Sequence, residues 1–190
     1  MHPFYAYIQT LAPLTPVEWQ QIEPVLERFE VPKGGVILRE GTVCRYLYFL
    51  ESGLLRYHAN RDGEDVTKYF TVPPYCFTAQ QSFSKVIPAD EAIEALADSV
   101  VWRIDRAATY RLLDLPGWSN FIRELIQEVQ YRTDQLLVDA QQRSAEARYR
   151  DLLTTGDPLA REVPLKYLAS FLGIAPQSLS RIRKRLVSGS

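Results

Sequence analysis

The chain has 190 residues, 46% of them hydrophobic and 24% charged, with 22 Lys and Arg against 23 Asp and Glu. That length holds one large domain or two small ones around a real core, and the ordinary fractions exclude a disordered or collagen-like chain. A net charge of −1 conceals a −6 body followed, over residues 141–190, by a +5 tail of nine basic and four acidic side chains, which points to a polyanionic partner near the C-terminus.

The longest apolar run, Tyr46–Leu50, falls far short of the ~18–20 residues a membrane span needs. Met1-His2-Pro3-Phe4 offers no basic start followed by an apolar stretch, so no secretory leader is expected. Two cysteines, Cys44 and Cys76, cannot build a disulfide framework or a four-cysteine cluster. A reduced, cytoplasmic protein without a bound metal or other cofactor is expected.

Thr15-Pro16-Val17-Glu18 opens a helix with a capping box. Trp19, Ile22, Val25, Leu26 and Phe29 predict its apolar face, and Pro32-Lys33-Gly34-Gly35 its end. From Val36 to Asp105 short runs rich in Val, Ile, Tyr and Phe alternate with turn residues: 36–38, 46–50, 54–59, 66–72, 92–96 and 100–104. Asp62-Gly63 between two such runs is a hairpin signal, because a type I′ turn needs positive φ; Gly41 and Gly53 mark further breaks. Many short strands at this spacing predict a small antiparallel barrel or roll.

A short helix is expected over Arg106–Leu113, and Pro116-Gly117 breaks the chain before a long helical pattern from Ser119 to Ala145. Ile122, Ile126, Val129, Thr133, Leu136, Ala140, Arg143 and Ala147 recur in alternating steps of four and three, the repeat of a coiled-coil seam. Such a helix is roughly 40 Å long. Its narrow stripe suits a dimer seam, the alternative being a helix laid along the barrel. Gly156-Asp157-Pro158 precedes two short helices, 164–172 and 176–187. The organisation expected is α+β: an effector roll over 1–116, a central helix over 117–145 and a helical domain over 146–190.

That last domain reads as a helix-turn-helix. Ala169 is small where two helices must approach, and Gly173, four residues on, suits a left-handed turn. Leu168, Leu172 and Ile174 face inward, met by Leu179, Ile182 and Leu186 from the second helix, which Pro176 opens. Its outward face holds Gln177, Ser178, Ser180, Arg181, Arg183, Lys184 and Arg185, with no acid after Glu162. Such a helix fits the major groove of double-stranded DNA, where Arg pairs with guanine, Gln with adenine, and the remaining cations neutralise phosphates.

Roll, long helix and helix-turn-helix in this order resemble the bacterial cyclic-AMP-receptor/fumarate–nitrate-reduction (Crp/Fnr) superfamily. The likeness covers essentially the whole chain and is strongest in Gly173-Ile174, in Ser180 through Leu186, and in Gly41 and Gly53. The resemblance implies a homodimer with a cyclic-nucleotide-type roll, and two recognition helices set roughly 34 Å apart by paired central helices. It also implies that Gln177, Ser178 and Arg181 read bases. Members usually add a β-hairpin wing after the recognition helix, whereas this sequence ends at Val187-Ser188-Gly189-Ser190, so a reader with no wing or a truncated one is expected.

Nucleotide-binding members of that superfamily hold the cyclic phosphate with a Gly-Glu pair and, further on, an Arg followed by Ser or Thr. Here those positions read Ala79, Gln80, Ala89 and Asp90, with Glu91 beside them. Two carboxylates stand where an anion would sit, which disfavours cyclic AMP. Thr133 matches a position that touches the base in nucleotide-binding relatives, though without the Arg its seam role is favoured. Phe77, Gln80, Phe83, Asp90 and Thr133, with Tyr69, Tyr75 and Tyr131 nearby, remain as a candidate pocket for an unidentified effector, and aromatic walls suit a neutral or apolar one. A filled core is the alternative there.

Enzymatic chemistry finds little support. A metal-dependent cupin needs several converging His, whereas His2 is terminal and His58 stands alone in its strand. Iron–sulfur sensing needs about four cysteines; Cys44 and Cys76 read as small core residues. No glycine-rich phosphate loop or nucleophile elbow occurs. The rival reading is a ligand-sensing roll whose C-terminal helices dock a partner protein rather than DNA.

Overall fold

The computed structural model describes residues 1–188 of the chain. Its first helix, α1 (Pro3–Leu11), is capped by the His2 imidazole, which accepts from the Phe4 amide at 3.1 Å, and it buries Phe4 and Ile8. In α2 (Pro16–Ile22) the Thr15–Glu18 capping box forms reciprocally. The helix ends seven residues earlier than the apolar spacing to Phe29 predicts. Pro24 sits in a 3-10 turn, Glu23–Val25, and the chain becomes strand β1 (Glu27–Val31). A proline ring clashes with the preceding helical turn, and the paired edge of β8 supplies hydrogen bonds that a longer helix would forgo.

The roll consists of β1, β2 (Val36–Leu38), β3 (Tyr46–Ser52), β4 (Leu55–Arg61), β5 (Glu64–Thr71), β6 (Tyr75–Phe77), the short helix α3 (Gln80–Lys85), β7 (Ala92–Ala95) and β8 (Ser99–Asp105). Two four-stranded sheets form, in the orders β1-β8-β3-β6 and β2-β7-β4-β5, with every pairing antiparallel. Asp62 and Gly63 both take positive φ, 54° and 87°, as the β4–β5 hairpin requires. Adjacent residues of β3 serve opposite faces of their sheet: Phe49 stacks on Phe4 of α1 at 4.8 Å, and Tyr48 on Phe77 at 5.0 Å.

Asp105 caps α4 (Arg106–Arg111), and α5 (Pro116–Gln142) follows. The first turns of α5 bury Trp118, Phe121 and Leu125 in the roll core. Beyond Val129 the helix leaves that core. At Arg143 the backbone is extended (φ −122°, ψ 139°), so the long helix stops short of Ala145; Ser144 caps a separate helix, α6 (Ala145–Thr154). The seam was expected over Ile122 to Ala140 with its repeat fading beyond, and the break falls after it, between Ala140 and Ala147. Helices α7 (Leu159–Glu162), α8 (Leu165–Leu172) and α9 (Pro176–Ser188) complete the described fold.

A second core holds Tyr149, Val163, Leu168, Ala169, Leu172 and Leu179 from the helical end, together with Leu54 and Leu96 from the roll. The helical head is thus seated on the β4–β5 side of the roll. Helix α8 lies against edge strand β5: Phe171 meets Phe70 edge-on at 5.4 Å, and the Thr67 amide donates to Ser170 Oγ at 2.9 Å. Tyr167 covers the Arg56 guanidinium, 3.6 Å from its ring centre.

Candidate nucleic-acid interface and effector cavity

Helices α8 and α9 form the turn-linked pair. Gly173 ends α8 in the left-handed conformation (φ 74°), and the Gly173 and Ile174 amides donate to the last carbonyls of α8. Leu168, Ala169, Leu172 and Leu179 are buried between the helices, and Ile174, Ile182 and Leu186 pack around them. On α9, Gln177, Ser178, Arg181, Arg183, Lys184 and Arg185 are exposed. Ser180 is half-buried, which amends its expected place on the outward face. At 100° per residue Gln177, Arg181 and Lys184 share one line, opposite Leu179, while Arg183 falls on the flank nearer the buried side. Arg185 is ion-paired with Glu146 of α6, which ties the C-terminal half of α9 to the body of the head. The positions bearing on a wing, Gly189-Ser190, lie outside the described residues.

The stripe on α5 divides. Ile122 and Val129 pack against the roll core of their own chain and so turn away from a purely intermolecular seam. Ile126, Leu136 and Leu137 remain 49%, 40% and 56% exposed, and Thr133 and Ala140 are exposed as well. Thr133 Oγ1 donates to the Val129 carbonyl, so its hydroxyl is occupied within the helix.

Between the roll, α3 and α5 lies a cavity of about 1130 Å³, at the upper end of small-molecule sites. Phe77, Gln80, Phe83, Asp90 and Thr133 all line it, as do Tyr69, Tyr75 and Tyr131; the space is therefore open rather than filled core. The groups at the positions of the implied phosphate site are arranged differently from expectation. The Asp90–Glu91 carboxylates do not stand alone: Lys68 Nζ donates to Glu91 at 2.9 Å and to Asp90 at 3.3 Å, and Arg61 reaches the Asp90 carbonyl. Arg132 of α5 donates to Glu128 at 2.7 Å and lies over the Tyr75 ring at 4.9 Å. Tyr57 stacks on Tyr69 with ring centres 4.1 Å apart.

Lys68, Arg132 and Tyr57 escaped the sequence reading. Lys68 sits where the β4–β5 register shifts between Tyr57 and His58, and a bulge re-aims side chains in a way no local pattern announces. Burial pushes the Tyr57, Tyr69 and Tyr75 phenols above their ordinary pKa, so they stay protonated as hydroxyls.

Outside the cavity, Arg56 forms a buried hub at the seat of the helical head. Its guanidinium donates to Glu94 at 2.7 Å, to both Asp65 oxygens at 2.9 and 3.0 Å, and to Thr67 at 3.1 Å. Burial works to raise the Asp65 pKa, but the Arg56 hydrogen bond and charge, aided by His58 and Lys166, overcome it and hold the carboxyl below its ordinary value. His58 is not isolated, as its strand position suggested; its Nδ1 lies 3.0 Å from Asp65. Cys44 and Cys76 are buried and unbridged. Among the described residues no group of three metal-ligating side chains converges, and no helix is long and apolar enough to cross a membrane.

Residues 28–115 match the family model of the cyclic nucleotide-binding domain. A cAMP-dependent protein kinase regulatory subunit from Blastocladiella emersonii is 32% identical over 89 residues, which are 44% of this chain and 21% of that relative; the match thus spans about a fifth of its length. A Crp/Fnr-family protein from Eubacterium rectale superimposes with a TM-score of 0.74 at 21% identity, covering 93% of this chain and 85% of the other. FixK2 from Bradyrhizobium japonicum gives 0.71 at 19% identity, covering 87% and 86%. At such identities the likeness establishes the fold. Residues 28–115 thus resemble a cyclic nucleotide-binding domain, and the chain as a whole, roll, long helix and turn-linked helices, shares its fold with these two structures.

Proposed function

We propose that the protein is a homodimeric, sequence-specific DNA-binding transcription regulator and not an enzyme, whose roll answers to an effector other than cyclic AMP. Three working segments are assigned in this reading: roll, central helix and helix-turn-helix head. The observation that carries the reading is the exposed line Gln177–Arg181–Lys184 on α9, flanked by Ser178 and Arg183, on a segment with no acid after Glu162. Its N-terminal side chains have the chemistry of base edges, and the basic remainder that of phosphates. Exposed Ile126, Leu136 and Leu137 on α5 support pairing with a second copy. Ala79, Gln80, Ala89 and Asp90 support the exclusion of cyclic AMP, since none supplies the cation a cyclic phosphate requires. An effector regulates only if it binds one dimer geometry better than the other.

The test combines genomic footprinting with a salt titration on the recovered site. Affinity should fall steeply with salt as counterions are released, and half-sites should lie about one DNA turn apart. Salt-insensitive association with a protein, and no footprint, would favour the docking module instead. Ile126→Glu with Leu136→Glu should yield monomers by sedimentation; an intact dimer would move the seam elsewhere.

A further inference from the structure

The cavity beneath α5 contains charged groups, yet each is already matched. Lys68 is held by Glu91, itself 7% exposed, and by Asp90; Arg132 is held by Glu128 and by the face of Tyr75. An anion entering here would meet the carboxylates that surround Lys68. A cation would meet Lys68 itself and Arg132. Either would have to part the sheltered Lys68–Glu91 pair, 32% and 10% exposed, where separating charges is costly; Asp90 and Arg132 stand further into solvent.

One polar group is left over. Among the described residues only two buried side-chain polar atoms complete no hydrogen bond, His2 Nε2 and Tyr57 Oη, and of these residues only Tyr57 lines the cavity. Tyr57 is fully buried, its ring fixed by the stack on Tyr69 and by an edge-on contact with Phe77 at 6.1 Å. Thr71 stands beside the hydroxyl without closing a hydrogen bond of ordinary geometry. A buried phenol in this condition loses the interactions it had in water, and a partner group would restore them. Tyr69 and Tyr75 flank it together with Thr71 and the Lys68-paired Glu91, and Phe77 and Phe83 line the same cavity.

We propose that this cavity binds an uncharged, ring-bearing small molecule that stacks among the tyrosine and phenylalanine side chains and exchanges one hydrogen bond with the Tyr57 hydroxyl. The inference rests on the reading of the cavity as the effector site, but not on DNA binding.

Calorimetric titration of the full chain with three matched probes tests it: 2-naphthol, 2-naphthoate and naphthalen-2-ylmethylammonium. Saturable binding of 2-naphthol is expected, at least about tenfold tighter than either ionic probe. Tyr57→Phe removes a group without a partner, so the melting temperature of the free protein should hold or rise slightly. The same variant should weaken 2-naphthol by roughly two- to tenfold, the worth of one hydrogen bond. Equal or tighter binding of a charged probe, an unchanged affinity in Tyr57→Phe, or no saturable binding of 2-naphthol would each overturn the proposal. A failure here leaves the footprint and salt titration untouched, and a missing footprint would leave this titration intact.

Discussion

Arg56 in the roll and Arg181 in α9 are the same side chain in opposite settings. Arg56 is 1% exposed, its fork donates to Asp65, Glu94 and Thr67, and Tyr167 covers its remaining face. Arg181 lies in solvent, on a helix that carries no acid. Lys68 of the roll and Arg132 of α5 likewise meet carboxylates of the same chain. Positive charge at these three side chains is matched within the chain, whereas Arg181 stands in solvent. The difference teaches where a polyanion can be met without first dismantling the protein.

Substitutions can break this contrast. The largest effect is expected for Arg56→Met, which leaves Asp65 and Glu94 without their cation at the seat of the head; about 3 kcal/mol of stability should be lost, read by urea denaturation. Low pH should act in the same direction. The Asp65 pKa lies below its ordinary value in the folded chain, so its contribution is fully present above the unfolded value near 3.8 and fades as pH falls through the lower, folded one. Arg56→Met should flatten that acid limb.

Arg181→Ala sharpens the contrast from the other side. It should weaken operator binding by roughly 1–3 kcal/mol in a gel-shift titration while leaving stability within about 0.5 kcal/mol. A larger loss of stability would mean that Arg181 has a structural partner, as Arg56 does. The smallest change is expected for Gly173→Ala. Open space surrounds that position, so only the left-handed backbone resists a side chain, costing about 1 kcal/mol in thermal denaturation.

These expectations also mark how far the sequence could be read. Turn chemistry was legible because it is local: Thr15 with Glu18, Asp62-Gly63 and Gly173 each set a few dihedral angles through their own side chains or the lack of one. The helix-turn-helix was legible for the same reason, its apolar positions all lying within the segment from Leu168 to Leu186. Helix α2 was over-extended because Val25, Leu26 and Phe29 fit a helical period while Pro24 and the distant β8 decide otherwise. Helix α1 went unread, since its apolar face finds its partners in Phe49, Trp118 and Phe121, far along the chain. A heptad does not say which neighbour fills it: Ile122 and Val129 of the expected seam pack, half-buried, on the roll of their own chain. In the cavity, the aromatic lining was visible as composition. The pairing of Lys68 with Glu91 and the isolation of the Tyr57 hydroxyl depend on a register shift between two strands, a tertiary fact.

Strand β5 is an outermost strand, hydrogen-bonded to β4 on one side only. On it, Tyr69 lines the chamber beneath α5 while its neighbour Phe70 presses on Phe171 of the head. A protein engineer therefore cannot transplant this chamber without its ceiling: a chimera that keeps the roll but swaps the helix-turn-helix must supply a fresh cover for Phe70, Thr67 and Arg56. Left bare, that flank would present an unpaired ribbon edge and a stripped guanidinium to the solvent, an invitation to self-association.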